Sequence, residues 1–126
     1  MKIRIFLFIS VCFLVFSFLI SCDKHHAKKL AGSYTCQVHS YSISGGTVTL
    51  DTNYTETLEV KQEKNKLNFL NQSYHIDTFW NEKRYYTTFT HGYLDIQFKN
   101  DSINYEMRNG GQGGYGIITY KGKKQN

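Results

Sequence analysis

The sequence predicts an all-β domain, a small antiparallel meander of about eight strands that closes or nearly closes into a barrel. From Leu30 onward apolar and polar residues alternate with the two-residue period of strands, and no 3.6-residue helical period is sustained. The same stretch is dense in aromatic and β-branched residues and holds all ten tyrosines of the chain. Its turns are short and polar and leave no room for a crossover helix, so successive strands must run antiparallel. Closing such a meander removes its exposed edges. An open two-sheet sandwich is the alternative, and no long helix is expected outside the N-terminal segment.

The first strand is expected over 33–43, with Tyr34, Cys36 and Val38 on one face. Ser44-Gly45-Gly46 turns the chain, Thr47 to Leu50 extends the hairpin, and Asp51-Thr52-Asn53 is expected to break or bend it. A second strand, 54–62, carries Leu58 and Val60 on one face and ends in the turn Glu63-Lys64-Asn65. Leu67 and Phe69 mark a third strand; after Asn71-Gln72, Tyr74 and Ile76 mark a fourth. Asn81-Glu82-Lys83 leads to a fifth with Tyr85, Thr87 and Phe89. In the sixth, Leu94, Ile96 and Phe98 alternate with Tyr93, Asp95 and Gln97. Asn100-Asp101 turns into a seventh, which directs Ile103, Tyr105 and Met107 to the core. After a glycine loop the eighth runs from Gly114 to Lys121.

Ahead of this domain, Lys2 and Arg4 precede an apolar run from Ile5 to Ile20, the charged and hydrophobic parts of a secretion signal. The run is shorter than the roughly 20 apolar residues of a spanning helix, and it ends in Leu19-Ile20-Ser21-Cys22. Those four residues resemble the lipobox of bacterial lipoproteins. The resemblance implies cleavage between Ser21 and Cys22, diacylation of the Cys22 thiol and acylation of the new N-terminus. Each buried methylene contributes about 0.8 kcal/mol, so more than one acyl chain makes a stable anchor. An uncleaved signal-anchor helix is the alternative. The expected organisation is a signal peptide at 1–21, acylated Cys22 with a flexible tether at 22–30, and a β-barrel domain at 31–126. The expected location is the cell envelope, anchored in the outer membrane. Lys24, Lys28 and Lys29 of the tether either lie against lipid headgroups, each worth about 1 kcal/mol at an anionic surface, or only keep a spacer solvated.

The formal charge of +5 falls to about +3 once Lys2 and Arg4 leave with the signal, too sparse for a phosphate-binding stripe, so no nucleic-acid partner is expected. With Cys12 removed and Cys22 acylated, Cys36 is left without a partner, and packing rather than a disulfide must hold the domain.

Leu30-Ala31-Gly32-Ser33-Tyr34 resembles the opening motif of the lipocalins, a glycine followed two residues later by tryptophan, with Tyr34 at the tryptophan position. Together with the strand count this implies a lipocalin-like cup, shallower than usual because the chain is short. The whole chain resembles the small lipoproteins of Gram-negative bacteria, in which an acylated tether precedes a compact all-β domain. A further resemblance lies in Tyr34-Thr35-Cys36 and Tyr115-Gly116-Ile117-Ile118-Thr119-Tyr120-Lys121-Gly122. These are similar to motifs of the membrane-bound lysozyme inhibitors, whose C-terminal signature is Tyr, three residues, then Thr-Lys-Gly. Here Tyr120 is inserted before Lys121, Val48 stands where their Ser-Gly-x-x-Tyr loop has its tyrosine, and their second cysteine is missing. That resemblance implies Lys121 as the side chain that enters the enzyme cleft.

Gly111-Gln112-Gly113-Gly114-Tyr115-Gly116 has the spacing of a dinucleotide fingerprint, but Ile117-Ile118-Thr119-Tyr120 after it reads as strand, where the fingerprint needs a helix. A turn between the last two strands is expected instead. Cys36 and His39, three apart on a strand, point to opposite faces and cannot form a nucleophile and base. His75 and Asp77 share a face but lack a third ligand for a metal. Glu56 has the parity of Leu58 and Val60; it either points inward near one barrel end or lies exposed at the rim.

These readings predict a non-enzymatic, lipid-anchored envelope barrel that binds a small apolar or amphipathic ligand, with Tyr34, Glu56, Trp80 and Tyr105 as pocket candidates. The alternative is a protein-interaction module, a lysozyme or hydrolase inhibitor or an envelope-complex subunit. It would act through loops 44–53 and 109–116, with Gly45, Gly46, Gly113 and Lys121 as candidates. No catalytic residue, metal or cofactor is expected, and the chain is expected to be monomeric.

Overall fold

The computed structural model describes residues 29–79 and 84–126. The signal peptide, Ser21 and Cys22 with their cleavage and lipidation, the tether before Lys29, and Trp80 lie outside the described residues. Eight antiparallel strands form the molecule: β1 (Gly32–Ser44), β2 (Thr47–Glu63), β3 (Lys66–Phe69), β4 (Gln72–His75), β5 (Arg84–Phe89), β6 (Gly92–Lys99), β7 (Ser102–Gly111) and β8 (Gly114–Lys124). A single 3₁₀ turn, Ile76–Phe79, follows β4, and no helix reaches seven described residues. Every hairpin is closed by two residues. At Gly45-Gly46, Leu70-Asn71 and Asn100-Asp101 both turn residues have positive φ, the mirror-image turn whose twist matches that of the flanking strands.

The strands lie side by side in the order β4-β3-β2-β1-β8-β7-β6-β5. Each strand pairs with its sequence neighbour except β4 and β5, and the first and last strands pair with each other. The result is a meander curled strongly into a half-barrel, open between β4 and β5.

Register arranges the concave face in rows across the sheet. The lowest full row joins Phe98, Ile103, Gly122, Cys36 and Glu56. Above it run Tyr85, Ile96, Tyr105, Tyr120, Val38 and Tyr54, then Thr87, Leu94, Met107, Ile118, Ser40 and Thr52. The top row is Phe89, Gly92, Asn109, Gly116, Ser42 and Leu50. Antiparallel partners share a face, so the alternation of each strand adds up to a continuous inner surface.

The core occupies the lower end. Phe98 lies edge-on to Phe79 (centroids 5.2 Å apart), Tyr34 and Phe69, while Phe69 stacks on Tyr74 at 4.7 Å. Leu67, Ile76, Ile96 and Ile103 fill between them. The 3₁₀ turn covers the lower part of the seam. Ile76 was expected on the fourth strand, but its amide donates to the Asn65 carbonyl at 2.9 Å and the chain turns there, carrying Phe79 into the ring cluster. Asp51-Thr52-Asn53 does not break β2, because its side chains stand on an exposed strand where polar residues cost nothing. The irregularity lies just before it: Ser42 pairs with Leu50 and Ile43 with Val48, so Thr49 is an extra, bulged residue, with its hydroxyl 2.7 Å from that of Ser42.

Gly122 is the close contact of the lowest row. A Cβ on it would overlap the Cys36 sulfur and meet Ile103 Cγ2 at 3.2 Å. Gly122→Ala is therefore expected to lower unfolding stability by about 1–3 kcal/mol through overpacking. The same change in a Cys36→Ala background should cost less than half as much, since the sulfur has gone. Urea titration of the four chains of that cycle measures the coupling, and a cost independent of residue 36 would show that the two do not collide.

Candidate functional site

The upper rows of the concave face form an open trough. Its floor is Leu94, Met107 and Ile118, half-buried and packed on the core below. Its lips are Leu50 and Tyr54 on β2 and Phe89 on β5, which are 44 %, 42 % and 44 % exposed. Ser40, Ser42, Thr52 and Thr87 interleave hydroxyls with this apolar lining. The trough exists because β3 and β4 have four residues each and wall off only the lower end. Above them no strand stands between β2 and β5 among the described residues.

Glu56 lies at the lower end of the β2 lip, on the concave face and exposed. Both alternatives read from the sequence meet in it: parity turns it inward, and the missing wall leaves it in water. Its charge reaches the core residues beside it. The Cys36 thiol is pushed up to about 11, by burial first and by Glu56 second. The Tyr120 hydroxyl is pushed up to about 12 by burial, with Glu56 and the neighbouring Tyr54 adding to the effect.

The other pocket candidates are placed differently. Tyr34 is 1 % exposed, and its hydroxyl donates to the Leu30 carbonyl at 2.7 Å. It borders a cleft of about 120 Å³ with Leu30, Phe98 and Asp101 at the lower end. That is below the few hundred Å³ of a site for a drug-sized ligand. Tyr105 is a core residue below the trough floor, edge-on to Tyr120 with its hydroxyl 3.6 Å from Met107 Sδ. Leu50, Tyr54 and Phe89 define the trough. Leu50 and Tyr54 have the parity of Leu58, the signal that could have found them. The break expected at 51–53 hid it for Leu50, while Tyr54 lies within the expected strand 54–62, where nothing hid it.

Of the loop candidates, Gly45, Gly46 and Gly113 come together at the top, where the Gly45 amide donates to the Gly113 carbonyl at 2.8 Å. Lys121 is elsewhere. It stands exposed on the convex face, paired between Gln37 and Asn104. Seven residues of β8 separate it from the tips, about 23 Å along the strand. Gly111 to Gly116 straddles the β7–β8 hairpin with strand on both sides, so the glycines make a turn and no phosphate cradle at a helix.

Cys36 is buried on the concave side, whereas His39 is on the convex side with its Nε2 2.9 Å from Asp51 Oδ1. His75 Nδ1 meets Asp77 Oδ2 at 3.0 Å and its Nε2 meets Asn65 Nδ2 at 2.9 Å. No group of three His, Cys, Asp or Glu able to hold a metal occurs among the described residues. A shallow depression of about 390 Å³ lies under the β7–β8 tip, lined by His91, Arg108 and Tyr115 and by glycine backbone. There the Arg108 guanidinium sits 4.4 Å from the centre of the Tyr115 ring. Comparison with protein-family models, with curated proteins and with solved structures found no match to this chain.

The buried acids of the core give the fold an alkaline limit. Burial pushes Tyr34 and Tyr120 to about 12 from 10.0 and Cys36 to about 11 from 9.0, and it raises Tyr105 and Tyr74 as well. Their folded values lie above the unfolded ones, so their contribution is whole below pH 9. Above it the unfolded chain sheds protons that the folded chain retains, and stability falls as pH rises through 9 to 12. The urea midpoint is expected to be flat from pH 7 to 8.5 and to drop steadily from pH 9 to 11. A midpoint that held to pH 11 would contradict the burial of these groups.

Proposed function

We propose that this chain is a non-enzymatic binding module of the cell envelope, lipid-anchored through Cys22 in the outer membrane. Its trough takes a small amphipathic ligand. The observation that carries the reading is the pairing of exposed Leu50, Tyr54 and Phe89 across an open apolar floor. Large apolar side chains left in water at the two lips of one concavity lose their cost when an apolar body lies between them. Glu56 sets the polar end. A carboxylate accepts hydrogen bonds and repels anions, so the ligand carries a hydroxyl or ammonium group there and not a carboxylate. The lipocalin-like strand count and the lipobox-like Leu19-Ile20-Ser21-Cys22 support the architecture and the address.

A second reading, the inhibitor or envelope-complex subunit, is favoured by one observation. The Gly45-Gly46 and Gln112-Gly113 tips are tied to each other and form one projecting surface at the top of the molecule. Lys121 lies away from that surface, so such a partner would be held by the tips without it.

Native mass spectrometry of the full chain, extracted gently from its own host membrane, separates these readings. Expected are a chain beginning at Cys22 with the added mass of its acyl groups, and a small-molecule adduct released on mild activation. Leu50→Asp, a change at an exposed position, should abolish the adduct while leaving far-UV circular dichroism unchanged. An unmodified chain from Met1 would sink the anchor. An adduct indifferent to Leu50→Asp would sink the trough, and a protein adduct lost on changing Gly45-Gly46 would favour the tips.

A further inference from the structure

The sheet ends at β2 over most of that strand's length. β3 pairs only with Lys61, Gln62 and Glu63, so from Thr47 to Val60 the outer edge of β2 has no neighbouring strand among the described residues. Every residue from Thr47 to Thr57 is exposed. A strand edge is a row of backbone donors and acceptors, and chains that remain alone blunt it with lysine, proline, a covering loop, a bulge or an inward charge. Here the bulge at Thr49 and the inward Glu56 sit at the two ends and leave Leu50 to Tyr54 regular between them. The stretch TVTLDTNYTETLEV has neither lysine nor proline. It is rich in threonine and carries Val48, Leu50 and Tyr54 exposed at 51 %, 44 % and 42 %. Its charges are Asp51, Glu56 and Glu59.

We propose that this edge pairs antiparallel with the same edge of a second copy, about a two-fold axis at Thr52. The register follows from four constraints. Partners opposite one another share a face, so the axis passes through a residue and not between two. An axis at Asp51 would set two carboxylates directly opposite, which is destabilising. An axis at Asn53 or beyond would drive the Gly45-Gly46 tip of one copy into Lys61 to Glu63 of the other, where β3 already pairs. An axis at Leu50 or nearer the tip would put the bulged Thr49 in the middle of the ladder or shorten it to a few residues, whereas an axis at Thr52 keeps the bulge outside the regular pairing of Leu50 to Tyr54.

Thr52 remains. Leu50 then faces Tyr54 of the second copy on the concave side, and Tyr54 faces Leu50. On the convex side Asp51 meets Asn53, so no like charges oppose. Leu50 and Tyr54 of one edge thus supply the partners of the other, and Val48, beyond the bulge, takes no part. The two troughs, each bounded by Leu50 and Tyr54, run together into one surface. This association goes beyond the trough reading and holds whether or not a ligand lies there.

Thr52→Cys tests it in the full chain, oxidised in host membranes and run on a non-reducing gel. Residues opposite one another in an antiparallel pair have Cα atoms about 4.5–5.5 Å apart, within disulfide range. Thr55→Cys, six residues out of register and so about 20 Å from its counterpart, is the control, with the unsubstituted chain as background for the native thiols. Expected is at least tenfold more disulfide dimer from Thr52→Cys than from Thr55→Cys. No dimer, or equal dimer from both, would overturn the proposal. So would a cross-link from Thr52→Cys to Thr87→Cys on β5, which means head-to-tail pairing. In a second measurement, Thr52→Lys sets two ammonium groups against each other at the axis. The dimer fraction in native mass spectra should fall at least tenfold with circular dichroism unchanged; a dimer that persists overturns the two-fold at Thr52.

Discussion

The ladder between β1 and β8 holds the molecule together as one body. It runs from Tyr34 opposite Lys124 to Ser44 opposite Gly114 and joins the two ends of the domain. Without it the chain would be two separate four-stranded meanders, β1 to β4 and β5 to β8, each with a half-exposed apolar face. With it the concave faces become continuous and the core can close. The lower end of the ladder is reinforced where the termini cross. The Lys124 ammonium donates to the Lys29 carbonyl at 2.8 Å, the Gln125 amide to the Ser33 carbonyl at 2.8 Å, and the Tyr34 hydroxyl to Leu30. Gly122 sits in this ladder and admits the Cys36 sulfur where any side chain would collide. Contacts between the two ends of the chain carry the entropic cost of closing the whole intervening loop, the kind of non-local pairing that slows folding.

The same strands build two different interiors. In their lower halves the inward positions are mostly Tyr, Phe, Ile, Leu and Val, with Cys36 and Gly122 among them, walled by β3, β4 and the 3₁₀ turn, and the rings of Phe69, Tyr74, Phe79 and Phe98 lock together. In their upper halves the inward positions include Ser40, Ser42, Thr52, Thr87, Gly92 and Gly116, and among the described residues no strand stands between β2 and β5. One end is packed to stabilise and the other is left concave. A ligand bound in the trough would bridge the two lips and so do for the upper half what Ile76 and Phe79 do for the lower.

The open seam also accounts for the free edge of β2. A closed barrel would satisfy the backbone groups of Thr47 to Val60 within one chain; the half-barrel passes that requirement to a neighbour. The proposed acyl anchor on Cys22 would favour such a neighbour, since chains confined to a membrane surface meet at high effective concentration. Trough and edge then share two side chains, Leu50 and Tyr54. Their backbone lies in the ladder between copies and their side chains lie in the concavity.

Period-two alternation determined which residues form strands and which face each presents. Tyr34, Cys36 and Val38, Ile96 and Phe98, and Ile103 and Tyr105 all lie in the core on the side that alternation assigned them. Face assignment is local, because successive side chains of a strand must point opposite ways. The same geometry separated Cys36 from His39, and the strand after Gly116 ruled out a phosphate-binding helix. The tertiary structure alone decided where the sheet stops. Four-residue β3 and β4, the 3₁₀ turn at Ile76 and the unbroken run of β2 through Asp51 depend on what packs against each segment, which no local pattern encodes. The trough follows from those lengths. Leu50, Tyr54 and Phe89 carry the same alternation as the buried residues, and they are exposed where no described strand walls the sheet beside them.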